Sequence, residues 1–250
     1  MQLAARTALI TGGAKRVGRG IALALAEAGA NIVVNYKSSE EEAAATVADI
    51  EAVGVGALAV QADVADYDQV SAMVAKAVER FGSIDVLVNS ASSFLPDPLP
   101  TDDLSVWHRS IDTLVHGPFY CSNLVAPVML ANDGGVIIGI GDLTAFEAWP
   151  GFGAHAVGKG AILSLTRQLA LELAPTVRAN ALVLGPTLRP VDYDDETYQR
   201  VADDTLLGRW GSPAEVGHAV RFLAEADYIT GEVLTIDGGQ RLAHRKHEHG

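Results

Sequence analysis

One cysteine, Cys121, stands among 250 residues, so no internal disulfide can form and nothing in the composition asks for an oxidising compartment. Positive charge is scarce as well. Eighteen Lys and Arg face 31 Asp and Glu, a formal net charge of −13 that repels nucleic-acid phosphates and anionic lipid surfaces. The apolar start MQLAARTALITGG meets a glycine turn well before membrane-spanning length, and no small-residue cleavage site follows a charged leader. These absences predict a cytoplasmic protein without a nucleic-acid or membrane partner. GxSxG is missing too, which sets aside a Ser-His-Asp hydrolase of that kind. His108 and His116 lack partners at metal-ligand spacing, so no zinc site is expected, and the three histidines of the tail HRKHEHG offer only loose metal binding. No internal repeat, low-complexity tract or linker divides the chain.

What is present is a rhythm. Val/Ile/Leu-rich runs of strand length (7–11, 31–36, 57–64, 84–90, 136–141, 177–183 and 232–237) alternate with segments whose apolar residues recur at helical spacing. Runs so continuously apolar are buried on both faces, which predicts one α/β domain over 1–250: a doubly wound, Rossmann-type parallel sheet of about seven strands with helices on both faces. Ser39 with Glu42 reads as a capping box, and Asp66 as the cap of a helix running to Arg80. Further helices are expected near 102–130 and 153–174. The only long irregular segment is 185–208, a length that marks a functional loop, and its run Asp192 to Glu196 reads as an anion-repelling lip or a solvated face.

Ligands in such sheets sit beyond the carboxyl ends of the strands. At the first end lies TGGAKRVGRG (11–20), where Gly12 and Gly18 let backbone amides approach a pyrophosphate at a helix N-terminus. The spacing is not GxGxxG, and glycines also serve bare turns. The second end, Asn35-Tyr36-Lys37-Ser38, has no carboxylate for ribose hydroxyls; Lys37 and Arg16 are either solvated cations or holders of a 2′-phosphate, and the missing acid favours NADP. Asp63-Val64 and Asn89-Ser90-Ala91 end the third and fourth strands with residues fit for an adenine and a ribose, or for ordinary turns.

TGGAKRVG, ADV, NSAS, Lys159 on its helix and the closing YITGEVLTIDGG together resemble the short-chain dehydrogenase/reductase family, in order and spacing, over nearly the whole chain. Arg16, where most members have glycine, and NSASSFLPDPL after the fourth strand are most similar to the pteridine reductase branch. The resemblance implies NADPH as cofactor, held by Gly12, Arg16, Val17, Gly18, Tyr36, Lys37, Ser38, Asp63, Val64, Asn89, Ser90, Ala91, Lys159, Gly185 and Pro186. It implies a small-molecule substrate, a homotetramer, and Phe94 stacking a pterin ring against the nicotinamide.

The family's catalytic set of Asn, Ser, Tyr and Lys is only partly matched. Lys159 is present, but His155 occupies the tyrosine position four residues earlier, Asp142 the serine position and Leu114 the asparagine position. Four-residue spacing puts His155 and Lys159 on one helix face. Histidine titrates far closer to neutrality than a phenol; a Lys159 ammonium pushes it toward its neutral form and an Asp142 carboxylate holds it protonated. By the resemblance, Asp142 protonates a pterin ring nitrogen and Lys159 holds the ribose. Leu114 offers no polar group to a proton relay, which favours a basic C=N over a simple ketone. The competing expectation is a nucleotide-binding protein of this fold that has lost catalysis and acts as a sensor or interaction partner. Trp149, Pro150 and Phe152 either wall a pocket or simply precede a core helix.

Overall fold

The computed structural model describes residues 1–190 and 193–247, apart from the side chains of 244–247. Asp192 of the acidic run and His249 therefore lie outside the described residues, as do the side chains of His244 and His247. The strands are β1 (Thr7–Ile10), β2 (Asn31–Tyr36), β3 (Ala57–Gln61), β4 (Val86–Asn89), β5 (Gly135–Asp142), β6 (Val177–Leu184) and β7 (Val233–Ile236). They form one sheet in the order β3-β2-β1-β4-β5-β6-β7, every neighbouring pair parallel. The order reverses between β1 and β4, so a crevice opens where those two strands end.

Period-two alternation decides what each face buries. From β1, Ala8 and Ile10 join a core with Ile21 and Leu25 of α1 (Arg16–Glu27), Ile50 of α2 (Glu40–Ala52) and Val216 and Val220 of the helix Pro213–Glu225. Leu9 faces the other way, into a core with Val70 and Met73 of α3 (Tyr67–Phe81) and Cys121, Val125 and Met129 of the helix Gly117–Ala131. Both faces are covered, as the strand composition predicts.

Local signals hold at α3, where the Asp66 carboxylate accepts from the Gln69 N–H at 3.1 Å and Gly82 (φ +81°) closes the helix. They fail at α2: Ser39 makes no side-chain cap, and the Glu42 carboxylate, the other half of the expected box, pairs with Lys15 at 3.2 Å. The expected helix at 102–130 is three pieces, α4 (Ser105–Ile111), a π-helical turn (Asp112–His116) and α5 (Gly117–Ala131). By length and composition alone Ser105–Ala131 passes for a membrane span, yet Leu114, Cys121, Val125 and Met129 are buried against the rest of the protein. The bulging turn lodges Leu114 against α6 (Gly153–Leu173) at Gly158, where a Cβ would lie 2.6 Å from the leucine Cβ.

The segment 185–208 is not irregular throughout, since it contains α7 (Asp195–Asp203). Its acids have local work. Asp194 caps α7 by accepting from the Thr197 N–H at 2.8 Å, and Asp195 pairs with Arg189 at 2.8 Å. Arg189 also lies over the Tyr198 ring, which stacks on Trp210 at 5.0 Å.

Helix α8 (Pro213–Glu225) approaches α1 closely at Gly217. A Cβ at Gly217 would meet the Ala24 Cβ at 2.6 Å and the Gly20 carbonyl oxygen at 2.7 Å. Because one obstacle is backbone, Gly217→Ala is expected to destabilise the fold by about 1–3 kcal/mol in urea unfolding, with little change in m-value.

Candidate active site

The first turn is built for close backbone approach. Gly12 is left-handed (φ +62°), its N–H reaches the Asn35 Oδ1 at 3.2 Å, and a Cβ there would lie 3.1 Å from the Ala91 Cα. Gly18 lies inside α1 rather than before it, and a Cβ on it would fall 2.2 Å from the Gly12 carbonyl oxygen. Thr11 ties this turn to the fourth strand end, its hydroxyl accepting from the N–H groups of Ser90 and Ala91 at 2.9 and 3.0 Å.

These ends surround a cleft of about 370 Å³ lined in part by Gly12, Lys37, Asp63, Val64, Ala91 and Phe94. Asn89 departs from expectation. Its side chain turns into the core and donates to the Ser122 hydroxyl at 3.2 Å, and Asn89 is not among the residues that line the cleft. Tyr36, Val17 and Ser38 stand at the ends of β2 and the start of α1, where they were expected. Gly185 lies across from Asp237, whose Cα a Cβ would meet at 2.6 Å, while Pro186 borders a second, small pocket beside Arg209 and Ser212. Of the turn cations, Lys15 pairs with Glu42 and Arg19 with Asp49, while Lys37 pairs with Asp63 at 2.5 Å. Arg16 is exposed, has no ion pair among the described residues, and holds a left-handed backbone (φ +55°) that costs a non-glycine residue about 1–2 kcal/mol. A cleft with a glycine cradle and a free guanidinium at its rim fits a phosphorylated dinucleotide.

Deeper in, β5 and α6 bring Asp142, His155 and Lys159 together. His155 Nε2 lies 2.7 Å from Asp142 Oδ2, and Nδ1 lies 2.8 Å from the Ser93 carbonyl oxygen. A carbonyl oxygen only accepts, so Nδ1 carries a hydrogen. A second hydrogen is then shared between Nε2 and the carboxylate. Lys159, buried, donates to the Ile140 carbonyl oxygen at 2.9 Å and stands 3.9 Å from Asp142 Oδ2. Thr144 donates its N–H at 3.1 Å, and its hydroxyl as well, to Asp142 Oδ1. Burial alone would raise the Asp142 carboxyl, but the His155 hydrogen bond, the charges of Lys159 and His155 and the Thr144 hydroxyl outweigh it and hold it at about 2. Burial pushes the Lys159 ammonium below its usual range, partly offset by Asp142.

The exposed member is Asp142. Its side chain is 23% accessible, whereas that of His155 is 1% accessible beneath Phe94, whose ring meets it edge-on at 4.9 Å. Phe94 itself is half exposed and stacks on Phe152 at 4.5 Å. Leu114 is fully buried in the π-helical turn and adds no polar group. Thr11, Ser93 and Thr144 escaped the sequence reading, and Asn35 entered it only as part of the second strand end. Only Thr144, two residues after Asp142, carried a local signal, that of an Asx turn; the others act through contacts with residues distant in the chain.

Fold and cleft define a dinucleotide-binding α/β protein with a titratable trio at the strand ends. Comparison with known proteins narrows this. Residues 12–241 match the family profile described as enoyl-(acyl carrier protein) reductase. A 3-oxoacyl-[acyl-carrier-protein] reductase of Staphylococcus aureus is 37% identical over 242 residues, 95% of this chain and 98% of the relative. Among solved structures, a blue fluorescent protein from a metagenomic library in complex with NADPH is 35% identical, with a TM-score of 0.89 over 96% of this chain and 99% of its own. A gluconate 5-dehydrogenase from Burkholderia cenocepacia in complex with NADP and tartrate is 33% identical, with a TM-score of 0.89 over 96% of each chain. The chain belongs to the short-chain dehydrogenase/reductase family. None of these three is a pteridine reductase, so the likeness holds for the family and not for that branch.

The depressed Asp142 carboxyl links site to stability. Its ordinary value is 3.8, so the stabilisation is fully present above pH 4 and fades as pH falls toward about 2. Asp142→Asn should therefore be less stable than wild type by about 2 kcal/mol at pH 6, and urea unfolding should show that gap narrowing by pH 3.

Proposed function

We propose that this chain is an NADP-dependent reductase that acts on a small-molecule carbonyl or C=N group, with the His155–Asp142 pair as its proton source. The observation that carries the reading is the placement of His155 between two oxygen acceptors, with Asp142 as the accessible end of the pair. A bound reduced nicotinamide supplies the hydride. Gly12, Gly18 and the start of α1 receive the phosphates, Arg16 and Lys37 the 2′-phosphate, and Asp63, Val64 and Ala91 the adenosine portion. Lys159 orients the ribose and keeps positive charge beside Asp142. When negative charge develops on the substrate oxygen or nitrogen, the ionised Asp142 carboxylate takes the Nε2 hydrogen of His155 and passes a proton on to the substrate, leaving His155 neutral with its Nδ1 hydrogen on Ser93. His155 thus stands where the family has its tyrosine.

The S. aureus relative supports a 3-oxoacyl carbonyl as substrate. The half-exposed ring of Phe94 beside the cleft supports the narrower reading of a planar pterin C=N. The segment 185–208 borders the substrate, and the protein works in the cytoplasm as a homo-oligomer, a tetramer by analogy with the family.

NADPH oxidation should be followed with 3-oxoacyl thioesters, dihydropterins and simple ketones, for wild type, Asp142→Ala and His155→Ala. Turnover that drops by about 100-fold or more in both variants is expected. Tight NADPH binding with no turnover on any substrate would replace this reading by that of a non-catalytic nucleotide-binding protein. Arg16→Gly should lose about tenfold in NADPH affinity and little in NADH affinity, while gaining about 1 kcal/mol of stability as the left-handed strain is relieved. Fluorescence titration and urea unfolding check the two halves.

A further inference from the structure

Asp97 is a carboxylate in an unusual place. Only 7% exposed, it directs Oδ2 at the Ala154 N–H at 2.7 Å, while its Oδ1 has no hydrogen-bond partner among the described residues. Its own N–H donates to the Gly151 carbonyl oxygen at 2.7 Å, and Asp97 and Phe152 form a parallel β-bridge. Pro96 and Pro98 flank it and hold this arm of chain extended.

The Asp97 contacts sit at the start of α6. Phe152 is the N-cap residue and provides no side-chain cap, and the first turn contains no acidic residue. Asp97, 57 residues earlier in the chain, does that work from outside the helix by accepting the N–H of its second residue. The third residue is His155. The same arm carries Ser93, whose carbonyl oxygen takes the His155 Nδ1 hydrogen, and Phe94, whose ring packs on Phe152 and edge-on to His155. The arm thus holds the His155 ring, and Asp97 holds the backbone of the preceding residue, Ala154.

We propose that Asp97 is a positioning residue for the proton source, fixing the first turn of α6 so that His155 spans Ser93 and Asp142. This rests on the reading of His155–Asp142 as the proton source. Beside the pair stand Lys159 of α6, 3.9 Å from Asp142, and Asp97 of the arm, at the N–H of the residue before His155. A misplaced turn lengthens the 2.7 Å contact between His155 and Asp142, and the shared proton becomes harder to deliver.

Three variants separate geometry from charge. Asp97→Asn keeps an acceptor for Ala154 without the charge; Asp97→Glu keeps the charge but shifts the acceptor by one methylene; Asp97→Ala removes both. In pH profiles of kcat, Ala and Glu should lower kcat by about tenfold or more and displace the alkaline limb, with the KM for NADPH changed by less than about threefold. Asn should restore both kcat and limb. Nitrogen-15 spectra of the His155 ring give a readout that does not need turnover: its signals should move in Ala and Glu and stay in Asn. A fold-only role predicts a lower melting temperature with the wild-type limb and wild-type ring signals, and that result overturns the proposal. Should Ala fail to fold, Glu against Asn decides. If the Asp97 variants move the ring signals while His155→Ala turns over normally, the positioning stands and the proton-source reading falls.

Discussion

A parallel sheet buried on both faces leaves only the ends of its strands open to water. The rest of this molecule follows from that constraint. Continuous Val, Ile and Leu in β1, β2, β4 and β5 pay no penalty only when helices cover both sides, and a crevice opens where the strand order reverses. Polar and titratable groups then collect at one rim. The turn after β1, Lys37 and Asp63 after β2 and β3, Ala91 after β4 and Asp142 at the end of β5 all stand there.

Close backbone contact is the second requirement, and it is met by glycine at crossings where a methyl group would collide. Gly18 lets α1 sit against the turn that precedes it, and Gly158 lets α6 sit against the π-helical turn that carries Leu114. The latter contact brings His155 and Lys159 to the strand ends without a polar residue between helices. Leu114 therefore fills space that a polar residue would otherwise use for hydrogen bonding, and the proton chemistry is concentrated on the pair between β5 and α6.

That pair shows how hydrogen-bond directionality decides protonation. A histidine facing one acceptor can remain neutral, but one facing a carbonyl oxygen and a carboxylate oxygen needs two hydrogens, or one of its own and one on the carboxylate. Thr144 and Lys159 hold Asp142 ionised, so the second hydrogen belongs with the ring. The departure from the family tyrosine thereby becomes an ion pair rather than a vacant position. The arm 93–97 completes it, since without the Ser93 carbonyl the ring nitrogens would have no fixed roles.

The sequence by itself determined the fold class and the glycine turn after the first strand, because period and strand composition are local properties of the chain, and the i, i+4 spacing put His155 and Lys159 on one helix face; Asp142 was singled out by the resemblance to the family. It determined the cap at Asp66 but misled at Ser39, where Glu42 pairs with a distant lysine. Only the tertiary structure decided that Asn89 faces the core, that α7 forms inside 185–208, that His155 is buried with Asp142 in front of it, and that Asp97 caps a helix beginning 56 residues later. Each of those outcomes depends on groups far apart in sequence competing for the same donor, acceptor or volume, and that competition exists only once the chain has folded.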